Sequence, residues 1–150
     1  MLRGSIYAKT DEKGRLKLPS DFKQFFDAAN VTQFYITSED GKKAEIWPLP
    51  EWEKREKKLL RSSTMNPAVA KYLNLTSYYG QQVEMDNQGR VLLSQLLRRT
   101  AKLDGEVLVK GQINHLIVEN SAQADEYAKT HELTSEDRQT IDALFSEGNE

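Results

Sequence analysis

Hydrophobic and polar positions alternate near the start of the chain. Residues 4–10 alternate one by one, and after the turn "DEKG" residues 15–18 alternate again, with Leu16 and Leu18 on one side. A period of two is typical of half-buried strands, and Asp followed by Gly is typical of a tight turn. The pattern predicts a β-hairpin over residues 4–18.

The spacing of apolar residues then changes to that of a helix. An apolar stripe at i, i+3, i+4 and i+7 predicts a helix that buries Phe22, Phe25, Phe26 and Ala29. A second hairpin is predicted over residues 31–47, around the turn "SEDGKK". A charged helix follows from Pro50, and its expected buried side consists of Trp52, Leu59 and Leu60.

The same order of elements returns 75 positions later. "DEKGR" at residues 11–15 comes back as "DNQGR" at residues 86–90, followed by a helix capped by Ser94, a hairpin that turns at "GQIN" (111–114), and a helix capped by Ser121. One hairpin is marginally stable alone, so the two copies are expected to complete each other's sheet. The prediction is an α+β fold with a pseudo-twofold, interleaved small β core and peripheral helices.

This repeat divides the chain into three parts. Residues 1–64 form the first repeat, residues 65–128 form a linker helix and the second repeat, and residues 129–150 form an acidic C-terminal tail that ends in a short amphipathic helix. Charge is also uneven along the chain, because residues 119–150 carry a net charge of −7 and residues 1–118 a net charge of +5. The cationic part is the candidate for contact with an anionic partner.

Composition excludes several classes of chemistry. The chain has no Cys and only two His, which lie far apart, so neither a disulfide nor a metal site is predicted. No apolar run reaches the roughly 18 residues that a membrane span needs, and a cytoplasmic location is expected. The sequence contains neither a nucleophile elbow nor a phosphate loop. The prediction is therefore a protein that is not an enzyme and binds no cofactor.

Several motifs together resemble one family. "RG" at residues 3–4, "DEKGRLKLP", "WPLPEWEK", "SSTMNP", "DNQGR" and "VLVKGQINH" follow one another in the order typical of MraZ, and the resemblance covers residues 1 to about 128. It implies a bacterial regulator of the division and cell-wall cluster, with the swapped-hairpin fold of AbrB- and MazE-type proteins used twice. It further implies a ring-shaped homo-oligomer at the nucleoid, tandem promoter repeats in double-stranded DNA as the target, and the neighbouring rRNA methyltransferase as a partner.

The resemblance assigns the DNA contact to Arg15, with Lys13 and Arg3 as its cationic neighbours. Gly14 forms the bend, and Lys9 and Lys17 fall with Arg15 on the polar face of the same predicted hairpin. An ion pair between Asp11 and Arg15 is the structural alternative, and both roles are compatible because a carboxylate can orient a guanidinium toward a phosphate or guanine edge.

The second turn is assigned a structural role. Its members Asp86, Gly89 and Arg90 correspond to those of the first turn, but Gln88 stands where the first turn has Lys13. The run "EKREKKLLR" (53–61) is interpreted as a solvated helix face or a face between subunits, because its bases are interleaved with acids.

A second function class stays open at the sequence level. Swapped-hairpin proteins include antitoxins, which neutralise a partner protein through a flexible tail, and the acidic segment 129–150 would suit a basic partner surface. The simpler interpretation of the same segment is a solubilising end.

Overall fold

A computed structural model describes residues 1–62 and 66–147 of the chain. Its strands are β1 (Leu2–Thr10), β2 (Arg15–Lys17), β3 (Gln33–Thr37), β4 (Ala44–Pro48), β5 (Gln81–Glu84), β6 (Arg90–Leu92), β7 (Gly105–Ile113) and β8 (His115–Asn120). Its helices are α1 (Ser20–Ala28), α2 (Leu49–Arg61), α3 (Pro67–Tyr78), α4 (Gln95–Thr100), α5 (Ser121–Thr130) and α6 (Ser135–Glu147).

The strands form one antiparallel sheet in which the two repeats are interleaved. Its order is β5-β3-β4-β8-β7-β1-β2-β6. The first strand of each repeat pairs with the third strand of the other, β1 with β7 and β5 with β3, while β2 pairs with β6 and β4 with β8. The second turn joins the outermost strands β5 and β6, so the sheet nearly closes on itself. The predicted α+β core with pseudo-twofold symmetry is confirmed.

The core lies on the inner face of this sheet, where side chains from both repeats meet. Leu16 of β2 lies opposite Val91 of β6, and both are fully buried. Phe26 of α1 packs edge-to-face on Phe34 of β3, with ring centroids 4.9 Å apart. Complete burial of such side chains contributes roughly 1.5–3 kcal/mol each, so neither repeat holds a core without the other.

The linker helix α3 is tied to the sheet through one backbone carbonyl. Thr76 lies in the last turn of α3, where carbonyl groups lack partners within the helix. Its carbonyl oxygen accepts hydrogen bonds from the Tyr35 hydroxyl at 2.8 Å and the Thr37 hydroxyl at 2.7 Å. These two bonds fix the end of the linker beside β3, which pairs with β5.

The predicted buried sides of α1 and α2 are wrong in part. Phe22 and Phe26 of α1 are buried, but Phe25 is partly exposed and Ala29 is exposed. In α2, Trp52 is buried, whereas Leu60 is 77% exposed. Each helix buries only a narrow line of residues along one side, so apolar residues beside that line remain at the surface.

Two local predictions also differ from the structure. The cap of α5 is Asn120 rather than Ser121, because the Asn120 side chain accepts from the backbone N–H groups of Ala122 and Gln123. The predicted turn at 111–114 is shorter, since β7 continues to Ile113 and only Asn114 separates it from β8. Ile113 adopts a positive φ of 68° to make this turn. The predicted Ser94 cap of α4 is confirmed by its bond from the Leu97 N–H.

The predicted division of the chain is only partly visible. The boundary between residues 64 and 65 lies outside the described residues, as does the end of the tail at 148–150. Within the described part, the tail forms the end of α5 and then α6, which buries no side chain. None of the helices in 1–62 and 66–147 has the length and apolar character needed to cross a membrane.

Candidate nucleic-acid interface

The first turn is organised by the carboxylate of Asp11. Its Oδ1 accepts from the backbone N–H groups of Lys13 at 3.0 Å and Arg15 at 2.8 Å, and its Oδ2 accepts from Arg15 Nε at 2.9 Å. The bond from the Arg15 backbone is the main cause that lowers the pKa of Asp11. Gly14 supplies the positive φ of 84° that the turn requires. The carboxylate thus shapes the turn and orients the arginine.

The second turn repeats this geometry. Asp86 Oδ1 accepts from the Arg90 backbone N–H at 2.9 Å, and Asp86 Oδ2 accepts from Arg90 Nε at 2.8 Å. The pKa of Asp86 is lowered mainly by the same backbone bond. Asp86, Gly89 and Arg90 thus form a turn with the geometry of the first one, in which Gly89 has a φ of 76°.

The two turns are also held against each other. The Leu18 N–H donates to the Gly89 carbonyl, and the Leu93 N–H donates to the Gly14 carbonyl, both at 2.9 Å. Because these bonds cross between repeats, the position of each turn depends on the other. The interface is therefore a single rigid surface rather than two independent loops.

Positive side chains form a row across three neighbouring strands. The register set by Thr10 and Leu16 places Lys9 of β1 opposite Lys17 of β2, and Lys17 in turn lies opposite Arg90 of β6. Strands lie about 4.8 Å apart, so the three charges are close neighbours. We call Lys9, Lys17 and Arg90 the cation row. It faces outward, because the alternating positions Leu16 and Val91 point into the core.

Arg15 lies beside this row and keeps the end of its guanidinium free. Its strand partner is Leu92, which places Arg15 diagonal to Arg90 at about 7–8 Å. The side chain is 32% exposed, and only its Nε is used, by Asp11. Its two Nη groups make no hydrogen bond to any residue in the described part of the chain. They are available for a bidentate contact with an anion.

The structure separates Arg3 from the other predicted site residues. Arg3 lies near the start of β1 and the turn follows its end, so about 25 Å of strand separates Arg3 from Asp11. The prediction that Arg3 is a cationic neighbour of Arg15 within one subunit is wrong. Lys13 lies exposed at the tip of the turn, as expected.

Two arginines that sequence reasoning set aside or missed lie at this surface. The sequence favours a structural role for Arg90 and leaves a DNA contact open, and in the structure Arg90 completes the cation row. Arg98 of α4 covers the first turn, where a Cβ on Gly14 would lie 2.6 Å from its Cζ. Its equivalent, Lys23 of α1, covers Gly89 in the same way. The shared spacing of 75 residues between Lys23 and Arg98 is the signal that points to them.

A shallow groove borders the cation row. It has a volume of about 580 Å³, and its lining includes Tyr7, Lys9, Lys17 and Pro19. It opens where β2 ends and the rest of β1 continues without a neighbour on that side. Within 1–62 and 66–147, no group of three or more His, Cys, Asp or Glu side chains has a geometry that would hold a metal ion.

A comparison with family models places the whole chain. Residues 1–74 and 80–145 match the family described as "MraZ protein, putative antitoxin-like". This chain belongs to the MraZ family. The match extends across both repeats and into α6, beyond the region in which the sequence motifs carry the resemblance.

Individual relatives agree with the family match. The chain is 50% identical over 141 residues to the transcriptional regulator MraZ of Acidobacterium capsulatum, covering 94% of this chain and 97% of the relative. It is 43% identical over 145 residues to the transcriptional regulator MraZ of Koribacter versatilis, covering 96% and 99%. It is also 36% identical over 115 residues to the protein of the same name in Erwinia tasmaniensis, covering 76% of each. These names describe a regulator and not an enzyme, as the sequence predicts.

Proposed function

We propose that this MraZ protein is a transcriptional regulator that binds tandem repeats in promoter DNA through the first hairpin of several subunits. The observation that carries the proposal is the outward cation row of Lys9, Lys17 and Arg90, with the free guanidinium end of Arg15 beside it. Regulation of transcription is what the names of its relatives state. Such a role would place the protein at the nucleoid in the cytoplasm.

The charges suit two kinds of contact with a duplex. Lysines at the row neutralise phosphates and supply affinity that falls with salt. Arg15 is preorganised by Asp11, so its Nη groups can approach a guanine edge bidentately, a contact worth roughly 1–3 kcal/mol of discrimination. Phosphate contacts position the protein, and the arginine reads the sequence.

One hairpin of this size binds weakly, and the proposal therefore includes a ring of subunits. Linked sites raise affinity by orders of magnitude when their spacing matches the target. Hairpins from adjacent subunits would address repeats about 10 bp apart, since that spacing returns to the same side of the duplex. Interaction with the neighbouring rRNA methyltransferase stays an expectation that the family resemblance implies.

Fluorescence anisotropy tests the proposal. The probe is a labelled duplex from upstream of the gene, with a scrambled duplex as control, titrated over a range of salt concentrations. Arg15→Ala should weaken binding about tenfold or more, and Lys17→Ala should lower the salt slope by about one. Lys71→Ala, an exposed lysine on α3, is the matched control and should change neither.

The mass of the intact assembly is measured for each variant, so that a lost subunit contact is not mistaken for a lost DNA contact. Unchanged affinity in Arg15→Ala, with assembly intact, would refute the residue assignment. If the protein binds neither duplex, the result would favour the alternative function, in which the chain neutralises a partner protein as antitoxins do.

A further inference from the structure

The helix α2 segregates charges that the sequence interleaves. At 100° per residue, Lys54, Lys57, Lys58 and Arg61 fall on one side of the helix. We call these four residues the α2 basic face. Only Lys54 has an ion-pair partner among the described residues, Glu51 at 3.1 Å. The run 53–61, which the sequence predicts as a solvated helix face or a face between subunits, therefore presents a concentrated positive surface.

An apolar depression lies beside this face, between α2 and α3. Its volume is about 320 Å³, and it is lined by Arg55, Lys58, Leu59 and Tyr72. The Arg55 guanidinium lies 4.6 Å from the centroid of the Trp47 ring, and its Nη2 donates to the Tyr72 hydroxyl at 2.7 Å. No carboxylate within the described ranges pairs with Arg55, so its charge adds to that of the basic face.

The C-terminal helix α6 has the complementary composition. It carries four acids and one base, a net charge of −3. Ile141, Leu144 and Phe145 follow at i, i+3 and i+4 and form one stripe, which we call the α6 apolar stripe. Leu144 is 58% exposed and Phe145 is 68% exposed, so the stripe lacks the cover that an amphipathic helix normally finds.

The start of α6 is well defined despite this exposure. The Thr134 N–H donates to Asp137 Oδ2 and the Asp137 N–H donates to Thr134 Oγ1, both at 3.0 Å. This reciprocal capping stabilises the first turn. The helix is thus formed before it meets a partner, and less ordering free energy is lost on docking.

We propose that α6 of one copy docks in the groove between α2 and α3 of a second copy. The α6 apolar stripe covers Leu59 and Tyr72, and the two acids on one side of it, Glu136 and Glu147, face the α2 basic face. An amphipathic helix in an apolar groove with a charged rim is a common mode of recognition. Every chain carries both halves, so the contact runs head to tail and can close a ring.

The contact area of a single short helix is smaller than a stable dimer interface requires. Repetition around an assembly would strengthen it. Docking of α6 does not depend on DNA binding, so its test contains no DNA. Failure of the test leaves the assignment of Arg15 unaffected, and failure of the DNA assay leaves the docking unaffected.

The absence of native cysteine gives a direct test. Two versions of the full-length chain with tags of different mass, one with Lys58→Cys and one with Thr140→Cys, are co-expressed, purified and oxidised. Thr140 is exposed and lies on the side of α6 that carries Glu136 and Glu147. Docking predicts a mixed disulfide between the two versions. Its yield should exceed by about tenfold the yield with Gln24→Cys on α1 in place of Lys58→Cys, because docked cysteines have a high effective concentration.

A charge swap separates docking from chance collision. Lys57→Glu with Arg61→Glu should lower the mixed disulfide about tenfold, since each ion pair is worth up to roughly 1 kcal/mol. Adding Glu136→Lys and Glu147→Lys to the other version should restore it. Restoration supports docking, because a merely structural defect in α2 would not be repaired from α6.

Two outcomes overturn the proposal. A chain with both cysteines that forms only an internal disulfide would identify α6 of the same chain as the occupant of the groove. Mixed disulfide no higher than the Gln24→Cys control would show that α6 does not dock there at all.

Discussion

Gly4 and Gly111 are partners across β1 and β7, and of the two only Gly111 lies too close to the opposite strand to carry a side chain. A Cβ on Gly111 would lie 2.4 Å from the backbone nitrogen of Arg3 and 2.6 Å from the carbonyl carbon of Leu2. Gly4 has the space for a Cβ, with no atom within 4 Å, but adopts a φ of +85°. The pair joins the first strand of one repeat to the third strand of the other.

Substitution of these glycines should therefore have unequal costs. Gly111→Ala pushes against backbone, which cannot rotate away, so it should lower the free energy of unfolding by about 3 kcal/mol or more. Gly4→Ala adds only left-handed backbone strain, about 1–2 kcal/mol. Urea unfolding of both variants measures the difference. Equal costs would contradict the close approach of the two strands.

The sequence predicts the parts of this fold that depend on local pattern. The alternation around Leu16 and Leu18 gives the first hairpin, and the return of "DEKGR" as "DNQGR" gives the second. The interleaving follows because single hairpins are too small to bury a core. Each of these steps needs only neighbouring residues and a general rule on stability.

The parts of the site that the sequence does not predict depend on strand pairing between the two repeats. The register of Lys17 opposite Arg90 joins residues 73 positions apart, and no local signal fixes it. For this reason the sequence favours a structural role for Arg90 without deciding whether it also contacts DNA. The family resemblance groups Arg3 with Arg15, although the extended strand β1 places the two residues far apart. Leu60 counts as apolar in a helix pattern, but only packing decides which side of α2 is covered.

Two side chains share the Thr76 carbonyl, and this predicts coupled effects of mutation. Tyr35→Phe or Thr37→Val alone leaves the oxygen with one donor and should cost about 0.5–1.5 kcal/mol. The double variant leaves a buried carbonyl without a donor, so its cost should exceed the sum of the single costs. Denaturant unfolding of the four proteins gives the coupling energy. Additive costs would mean that another group satisfies the oxygen.

The two turn carboxylates predict part of the acid sensitivity. The pKa values of Asp11 and Asp86 are lowered from 3.8 in the folded protein, so the stability they provide is complete above about pH 5. It is lost as the pH falls through their folded values, because protonation removes the acceptor of the Arg15 and Arg90 bonds.

Asp11→Asn combined with Asp86→Asn should reduce the pH dependence of the free energy of unfolding between about pH 5 and pH 2. Asp137→Asn, which affects the cap of α6, is the control, since α6 buries no side chain and contributes little to global stability. If the free energy of unfolding of the double variant falls with pH as steeply as that of the wild type, the two turn carboxylates do not cause the acid sensitivity.

A separate pH dependence should arise at His115, which stacks on Trp47 with ring centroids 3.8 Å apart. Burial, and secondarily the charge of Arg55, lowers the pKa of His115 from 6.5 to about 4. The unfolded chain therefore binds a proton between these values that the folded chain does not bind. Stability contributed by His115 is complete above pH 6.5 and is lost as the pH falls from 6.5 to 4.

The shift sets an upper limit of about 3 kcal/mol on this loss. The ring is half-buried, and solvent screening reduces the expected loss to roughly 1 kcal/mol. Glu45 acts in the opposite direction, because burial raises its pKa above 4.5. The stability that Glu45 contributes is therefore present at low pH and is lost as the pH rises through its folded pKa. The wild-type profile alone therefore does not isolate the histidine.

His115→Phe removes the titration and keeps a ring against Trp47. Urea unfolding of wild type and variant at pH 7.5 and pH 4.5 should show that the wild type loses about 1 kcal/mol more than the variant on acidification. NMR titration of the imidazole in the folded protein gives the same pKa independently. A pKa near 6.5, or parallel pH profiles, would show that the imidazole carries its charge freely beside Arg55 and that burial does not exclude the proton.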